Sequence, residues 1–599
     1  MKMKDFCTKM ITLILCFLLT NTQNARKDIL DRARRKQISL STTHLTPLEN
    51  LAQQTEWLQK QTKSTALAYK EDTTLSHLFE NKFTWLTKKA SEVAQDLGGK
   101  FQESTIIKII TSAANIPLEK ARSQFIGTPH QNDPTSINSG QISNEETTII
   151  NLRQTKNNSA LKDLTKLDIP KEKTLNIAIC TSGGGYRAMI ATLGLLKGLE
   201  EARILDTVQY ISTLSGSAWG TGFWISSKKS LSDFIEQVKN NIQKNVTLPA
   251  PITDSEQIKN TVKNFVAKFV YDQPLSSVDI WGALIGNNLV GTQTLKLSEQ
   301  QNLVQNGDLP FPIYTAVSAT SFSPLTYDWY EFNPYNVRNI RTNNYIPTWA
   351  FGRKFERQQF HENGHSSLSE KTSSGDVFPE ELPLNFLLGI CGSAFTVNVK
   401  EIIKDMESNS ALSDLQATVL DYIISKDEKA LHISSKRAIP AEVYNFAPKN
   451  GSKEIIILID AGIDFNLPFP PLLQKDRNID LIIALDASAS VKNAPALKGA
   501  ESYATQHSIS GKINELPKID YSDIDKKPIS IFKEAGKPTV IYVPYLFVNE
   551  CGDSYCSTFN FGYGNKEFDM AFNASKNTVT ENFNQIKNAI IEAQKEKLA

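Results

Sequence analysis

Two short turns in this chain carry residue types that acyl-transfer and phosphate-binding proteins use. In the first, Gly183, Gly184 and Gly185 follow an apolar run and precede a helix-patterned segment. Backbone without Cβ atoms can approach a ligand closely, and the N–H groups that open a helix stabilise negative charge. The turn is therefore compatible with a phosphate loop or with an oxyanion hole, although it lacks the lysine of a P-loop and the spacing of a dinucleotide fingerprint.

The second turn is the pentad TLSGS at positions 213–217, which centres on Ser215. A nucleophile elbow projects a serine from such a turn between a strand and a helix, where small neighbours relieve crowding. Ser-Gly-Ser turns are common, and Thr213 stands where the elbow motif has glycine. The pentad alone is thus a weak indication of a nucleophile.

A serine hydroxyl needs a base to remove its proton, and Asp460 is a candidate for that base. Asp460 ends the apolar run EIIILID at 454–460 and precedes a turn that contains Gly462. A carboxylate at a strand end lies where α/β enzymes build their sites, and partial burial raises its pKa. Taken by itself, however, the turn favours a simple capping role for Asp460.

The elements that must position these residues are buried strands followed by helices. Four runs rich in Ile, Leu and Val suit strands that are covered on both faces. These runs are 174–180, 208–215, 454–460 and 480–486. A helix pattern follows at 191–205, and residues 232–310 are predicted to form a mostly helical insertion. Strands that alternate with helices predict an α/β fold, with a mostly parallel central sheet and flanking helices.

The order of the motifs resembles one family closely. TSGGGYRAM, TLSGSAW and DAGIDFNLP follow one another as in the catalytic domain shared by the cytosolic (group IV) phospholipases A2 and the fungal lysophospholipases, also called phospholipases B. The further motifs that agree are VDIWGALIG, WYEFNPY, LLGICGSAF, LIIALDASAS and CSTFNFGY. Several ordered motifs are far more specific than one, and the resemblance covers residues 143–599.

The resemblance implies a patatin and cytosolic phospholipase A2-like fold and a set of residue roles. Acyl esters of phospholipids and lysophospholipids would be hydrolysed by a Ser–Asp dyad, with Ser215 as nucleophile and Asp460 as general base. Gly184 and Gly185 would supply the oxyanion N–H groups. Arg187 would face the substrate phosphate; the alternative is that it pins the glycine turn by hydrogen bonds.

The expected partner is a phospholipid or lysophospholipid at a membrane or micelle surface, with neither a metal nor a cofactor. The 599 residues carry 65 Lys and Arg against 64 Asp and Glu, a net charge of +1. A charge so near zero argues against a nucleic-acid partner, because phosphate backbones require a basic surplus. Two other functions remain open: a broader patatin-like acyl hydrolase or transacylase, and a catalytically inactive lipid-binding relative.

The N-terminal segment predicts an exported protein. Three lysines precede the apolar run 10–19, which is too short to span lipid and is typical of a secretory signal peptide. We therefore predict a signal peptide at 1–24 and a secreted or extracytoplasmic protein. The alternatives are membrane anchoring by an uncleaved N-terminal segment and, more weakly, a lipoprotein modified at Cys16.

Between this segment and the catalytic domain, residues 25–142 are predicted to form a helical region and a linker. Apolar residues recur there at three-and-four spacing, and a stretch rich in Gly, Pro, Asn and Ser follows. Among the remaining cysteines, Cys551 and Cys556 are close enough to pair locally. Cys180 and Cys391 lie in apolar segments and are expected to be buried thiols.

Overall fold

The structure is a computed structural model. It describes residues 142–243, 276–291, 295–322, 325–353, 379–396, 440–447, 455–558 and 560–599, with short stretches at 136–139, 264, 267–268, 273–274, 359–360 and 366–367. The predicted signal peptide at 1–24 and nearly all of the predicted helical region and linker at 25–142 lie outside the described residues. Within the segment predicted as a linker, Ser136–Ser139 forms a strand.

The described residues form a sheet of 14 strands. The strands are β1 Ser136–Ser139, β2 Ile177–Thr181, β3 Val208–Thr213, β4 Phe311–Phe322, β5 Leu325–Phe332, β6 Asn336–Asn339, β7 Asn344–Pro347, β8 Gln359–Phe360, β9 Ser366–Ser367, β10 Ala441–Tyr444, β11 Ile455–Asp460, β12 Leu481–Asp486, β13 Ser530–Phe532 and β14 Thr539–Pro544. The α-helices are α1 Asn144–Thr165, α2 Gly185–Glu201, α3 Ser215–Ser227, α4 Leu231–Asn241, α5 Ser277–Val290, α6 Gln301–Val304, α7 Leu384–Cys391, α8 Pro495–Ser508, α9 Val548–Tyr555, α10 Asn565–Glu581 and α11 Phe583–Leu598.

The centre of the sheet is parallel, as the sequence predicts. Strands β14, β12, β2, β3 and β4 lie side by side and run in the same direction. Antiparallel strands extend the sheet on both sides, with β13 beyond β14 and β5, β6 and β7 beyond β4. The chain passes from β4 to β5 through only positions 323 and 324, and so short a connection can join only antiparallel strands.

Both faces of the parallel strands are covered. Along β2, Ile177 and Ile179 belong to one apolar cluster, together with Leu193 of α2. Ala178 and Cys180 belong to a second cluster, which includes Leu497 of α8. Because successive side chains of a strand point to opposite faces, the continuous apolar runs read from the sequence reflect burial on both sides.

A buried ion cluster anchors the chain that follows Asp460. The guanidinium of Arg477 donates to Glu146 of α1 at 2.8 Å and to Glu331 of β5 at 2.7 Å. Burial works against ionisation of Glu331, but the adjacent Arg477 guanidinium lowers the pKa of this carboxyl overall. Removing one partner from a buried ion pair costs about 3–5 kcal/mol, so the cluster fastens this segment to α1 and to the sheet.

The cysteines behave as their spacing predicts. Cys551 and Cys556 form a disulfide with their Cα atoms 5.8 Å apart. Cys180 and Cys391 are buried free thiols. Within the described ranges, we find no helix with the length and apolar content needed to cross a bilayer.

Candidate active site

Strand β4 brings the ends of β3 and β11 together. One edge of β4 pairs first with β3 in parallel, with Thr213 opposite Tyr314. The same edge then pairs with β11 in antiparallel, with Asp460 opposite Ala316. The carboxyl ends of β3 and β11 therefore run toward each other along β4 and meet within two residues of its length. Ser215 follows the end of β3 by two positions, so the topology brings it to Asp460.

Ser215 occupies a strained turn between β3 and α3. Leu214 before it is extended, whereas Ser215 itself has a φ of 52° in the left-handed region. Such a conformation costs a non-glycine residue on the order of 1 kcal/mol and persists only where its surroundings enforce it. A Cβ atom on Gly216 would lie 1.8 Å from the carbonyl oxygen of Gly185, so only glycine fits after the serine. The turn thus has the strand-turn-helix form of a nucleophile elbow.

Asp460 is fully buried and ends β11 beside this turn. Its Oδ1 accepts a hydrogen bond of 2.9 Å from the N–H of Gly462. Burial raises the pKa of Asp460 to about 7, and the Gly462 N–H and the Ser215 hydroxyl partly oppose this rise. Among the described residues, the buried Oδ2 has no hydrogen-bond partner. A carboxyl with a pKa near neutrality can accept and return a proton at physiological pH.

The glycine loop, residues 183–185, lies directly against Ser215. Gly184 has a φ of 139° and Gly185 a φ of 63°, which only glycine adopts without strain. A Cβ atom on Gly183 would lie 2.7 Å from Cβ of Ser215. Helix α2 begins at Gly185, and the first N–H groups of a helix have no partner within it. The fold thus brings the start of α2 next to the serine.

Arg187 points into the protein rather than toward an open surface. Its side chain is 1 % exposed. Nε donates to the carbonyl of Ala487 at 2.9 Å, and Nη1 donates to the carbonyl of Cys556 at 2.5 Å and to Oγ1 of Thr558 at 3.2 Å. These bonds tie the first turn of α2 to two distant segments. They support the anchoring alternative, and the phosphate-binding role stays a prediction.

Three residues with no role predicted from the sequence, Asn466, Ser488 and Asp486, form a chain of hydrogen bonds that begins at the glycine loop. Asn466 bonds both to Gly183 and to Ser488, and Ser488 bonds to Asp486. Their positions in the sequence could have identified them, because all three follow or end an apolar strand run, which is where α/β enzymes build their sites. Among the described residues there is no cluster of three or more His, Cys, Asp or Glu side chains that could hold a metal.

Among the described residues, no histidine lies beside Ser215. Of the seven histidines in the sequence, His507 is the one that lies in the described part of the chain. Its ring stacks on Tyr503 in α8, with the ring centroids 4.1 Å apart. In the described residues, the Ser215 hydroxyl interacts with the carboxyl of Asp460.

Comparisons with known proteins agree with this architecture. Residues 177–523 match the family model described as the lysophospholipase catalytic domain. The chain belongs to the lysophospholipase catalytic domain family. Cytosolic phospholipase A2 gamma of Mus musculus is 23% identical over 501 residues, which cover 66% of this chain and 81% of that protein.

Solved structures show that this lysophospholipase-family chain shares the cytosolic phospholipase A2 fold. Human GIVD cytosolic phospholipase A2 superposes with a TM-score of 0.62 at 18% identity, covering 78% of this chain and 69% of that one. Its complex with methyl gamma-linolenyl fluorophosphonate gives a TM-score of 0.57 at 20% identity, covering 79% and 67%. The predicted fold class is confirmed. Family membership implies a lipid ester hydrolase and supports phospholipid hydrolysis.

The predicted location of this lysophospholipase-family chain is wrong. We expected a secreted or extracytoplasmic protein, or one anchored by an uncleaved N-terminal segment. The relatives found are by name cytosolic phospholipases A2, and nothing in the comparisons supports the signal peptide on which that expectation rested. The physical reason is that a short apolar run is ambiguous, because buried helical segments contain runs of the same length.

Proposed function

We propose that this chain hydrolyses the acyl esters of phospholipids and lysophospholipids through a Ser–Asp dyad, with Ser215 as nucleophile and Asp460 as general base. One observation carries the proposal. A buried carboxyl with a pKa of about 7 interacts with the hydroxyl of a serine held at a φ of 52°. This pairing gives a weak nucleophile an adjacent base that can work near neutral pH.

In the first step, Asp460 takes the hydroxyl proton as Oγ of Ser215 forms a bond to the ester carbonyl carbon. The carbonyl π electrons move to its oxygen, and the N–H groups of Gly184 and Gly185 stabilise the resulting oxyanion. The tetrahedral intermediate collapses when the bond to the leaving oxygen breaks. That oxygen takes the proton from Asp460, and an acyl ester remains on Ser215.

In the second step, a water molecule replaces the departed alcohol. Asp460 takes a proton from this water, and the oxygen attacks the acyl carbon. The same N–H groups stabilise the second oxyanion. The bond to Oγ then breaks, Ser215 regains its proton from Asp460, and a free fatty acid leaves.

A covalent probe tests the nucleophile together with the activity. We expect the full chain to release free fatty acid from phosphatidylcholine vesicles and to lose this activity in proportion to labelling by methyl gamma-linolenyl fluorophosphonate. The phosphonyl group should reside on Ser215, which mass spectrometry of the peptide spanning α3 identifies. Label on a different serine, or activity that survives complete labelling, would contradict the proposed nucleophile.

The role of Arg187 is tested by two substrates that differ in charge. Arg187→Ala removes bonds to the carbonyls of Ala487 and Cys556, so the first turn of α2 loses its anchor. We expect kcat/KM to fall about 10- to 100-fold on a phospholipid and, to a similar extent, on an uncharged short-chain ester. A loss confined to the phospholipid would instead assign the guanidinium to the substrate phosphate, as a fork that pairs with it.

A further inference from the structure

The side chain of Asn466 holds the first residue of the glycine loop at both of its backbone groups. Oδ1 of Asn466 accepts from the N–H of Gly183 at 3.1 Å, and Nδ2 donates to the carbonyl of Gly183 at 3.1 Å. Asn466 is 4 % exposed, so water does not compete freely for these bonds. The two residues are 283 positions apart in the sequence, and this contact exists only in the folded chain.

The orientation of this amide is determined by the groups behind it. Ser488 has one hydroxyl proton, which it donates to Oδ1 of Asp486 at 2.5 Å. The hydroxyl oxygen of Ser488 can therefore only accept from Asn466, and the Nδ2 atom lies 2.8 Å from it. Asp486 is held in turn by the hydroxyl of Tyr542, which donates to Oδ2 at 2.8 Å. With Nδ2 turned toward Ser488, Oδ1 must face the N–H of Gly183.

Gly183 packs closely against both Asn466 and the reacting serine. A Cβ atom on Gly183 would lie 2.7 Å from Oδ1 of Asn466 and 2.7 Å from Cβ of Ser215. A side chain at position 183 would therefore collide with both residues, and the two hydrogen bonds from Asn466 hold the glycine loop next to the serine. Asn466 also belongs to the segment that begins at Asp460, so one stretch of chain carries the proposed base and holds the oxyanion loop.

We infer that Asn466 is a positioning residue for the acyl transfer, because it holds the glycine loop at the distance from Ser215 at which Gly184 and Gly185 meet the oxyanion. This inference rests on the proposed Ser–Asp function. The hydrogen bonds of Asn466 go to Gly183 and Ser488, so its effect passes through the backbone of Gly183. Small displacements of oxyanion donors change the energy of the transition state more than that of the bound ester.

The test compares Asn466→Ala with a matched asparagine far from the serine. The Nδ2 of Asn158 in α1 likewise donates to one carbonyl and one hydroxyl, those of Ile169 at 3.0 Å and Thr174 at 2.8 Å. With p-nitrophenyl butyrate as substrate, we expect Asn466→Ala to lower kcat about 100-fold while KM changes by less than about threefold. Asn158→Ala should lower Tm but leave kcat within about twofold of the wild type.

A second readout reports on the oxyanion itself. An alkyl trifluoromethyl ketone adds to a nucleophilic serine and forms a tetrahedral oxyanion, so its inhibition constant should rise about 100-fold in Asn466→Ala, in parallel with the loss of kcat. If Asn466→Ala fails to fold, Ser488→Ala takes its place, because it removes the hydroxyl that orients the amide and keeps Asn466 itself. For Ser488→Ala we expect kcat to fall about fivefold at unchanged KM.

The outcomes separate the inference from the proposed function. The inference is overturned if Asn466→Ala keeps the wild-type kcat and the wild-type affinity for the ketone. Where Ser488→Ala is used instead, the same result in that folded variant also overturns it. It is also overturned if Asn158→Ala matches the kinetic loss, since the effect would then be general destabilisation. A Ser215→Ala variant is measured in parallel. If it is inactive, the proposed Ser–Asp dyad is unaffected by either result; if it is active, the dyad itself is overturned.

Discussion

Replacing Ser215 by alanine should lower hydrolysis of a phospholipid vesicle by on the order of 10⁴-fold or more, because no other group can carry the acyl chain in the proposed mechanism. The substitution removes one oxygen atom and keeps the left-handed backbone of the elbow. We therefore expect a Tm close to that of the wild type. Fatty-acid release over time, together with thermal unfolding of the same samples, measures both quantities.

A serine at the other end of α3 serves as the control for this variant. Ser227 bonds within its own turn, where its Oγ donates to the carbonyl of Trp224 at 2.7 Å. Ser227→Ala should keep near-normal turnover. Residual activity above about 1% in Ser215→Ala, in a preparation free of wild-type protein, would exclude Ser215 as the nucleophile.

Replacing Asp460 by asparagine should also remove activity by on the order of 10⁴-fold, because an amide cannot accept the serine proton. Asparagine has the same shape and keeps an acceptor for the N–H of Gly462. The double variant with Ser215→Ala should lose little more than either single one, since the two residues act as one unit. Near-normal turnover in Asp460→Asn would show that another group is the base.

The wild-type pH profile should show the titration of this carboxyl. Only ionised Asp460 can act as a base, and burial raises its pKa to about 7. We therefore expect kcat/KM to fall tenfold per pH unit below about pH 7 and to level off above it. A profile that stays flat from pH 5 to pH 8 would contradict a base with this pKa.

Stability should change in the direction opposite to activity. In the unfolded chain Asp460 titrates near its ordinary pKa of 3.8, whereas in the folded protein it titrates at about 7. The folded state binds the proton more tightly between these values, so stability falls as pH rises from about 4 to 7. Asp460→Asn removes a buried charge that costs a few kcal/mol above pH 7, by order of magnitude.

We accordingly expect Asp460→Asn to have a higher Tm than the wild type at pH 8. The difference should shrink as pH falls toward 4, because the folded wild-type carboxyl is then protonated and carries no buried charge. Thermal unfolding of the two proteins across this range measures the effect. A variant that is less stable at pH 8 would mean that asparagine loses more packing or hydrogen bonding than the buried charge costs.

Much of the local structure could be predicted from the sequence. Runs rich in Ile, Leu and Val identified β2, β3 and β12, which are buried on both faces as such runs predict. The same pattern located β11, but the expectation that this strand is covered on both faces is wrong, since Ile457 is 45% exposed. The short turns after them identified Ser215 and the glycine loop, because a sharp strand-to-helix turn requires small residues next to it. The order of the motifs indicated the family, which the matched family model confirms.

Two other features could not be read from local patterns. The direction of β11 depends on which strand it pairs with, and an apolar run looks the same in a parallel and an antiparallel strand. The contacts of Arg187 with Cys556 and Thr558 join residues 369 and 371 positions apart. The sequence offered phosphate binding and anchoring for this arginine, and only the folded chain supplies the carbonyls that favour anchoring.

By itself, the sequence determined which residue types stand at the strand ends, because turns and strands are governed by neighbours a few positions apart. The tertiary structure decided that Ser215, Asp460 and Asn466 meet at one place. That meeting depends on β3 and β11 approaching from opposite directions along one edge of β4. The tertiary structure also buries Asp460 and so raises its pKa, because a carboxyl becomes a base near neutral pH only where packing excludes water from its charge.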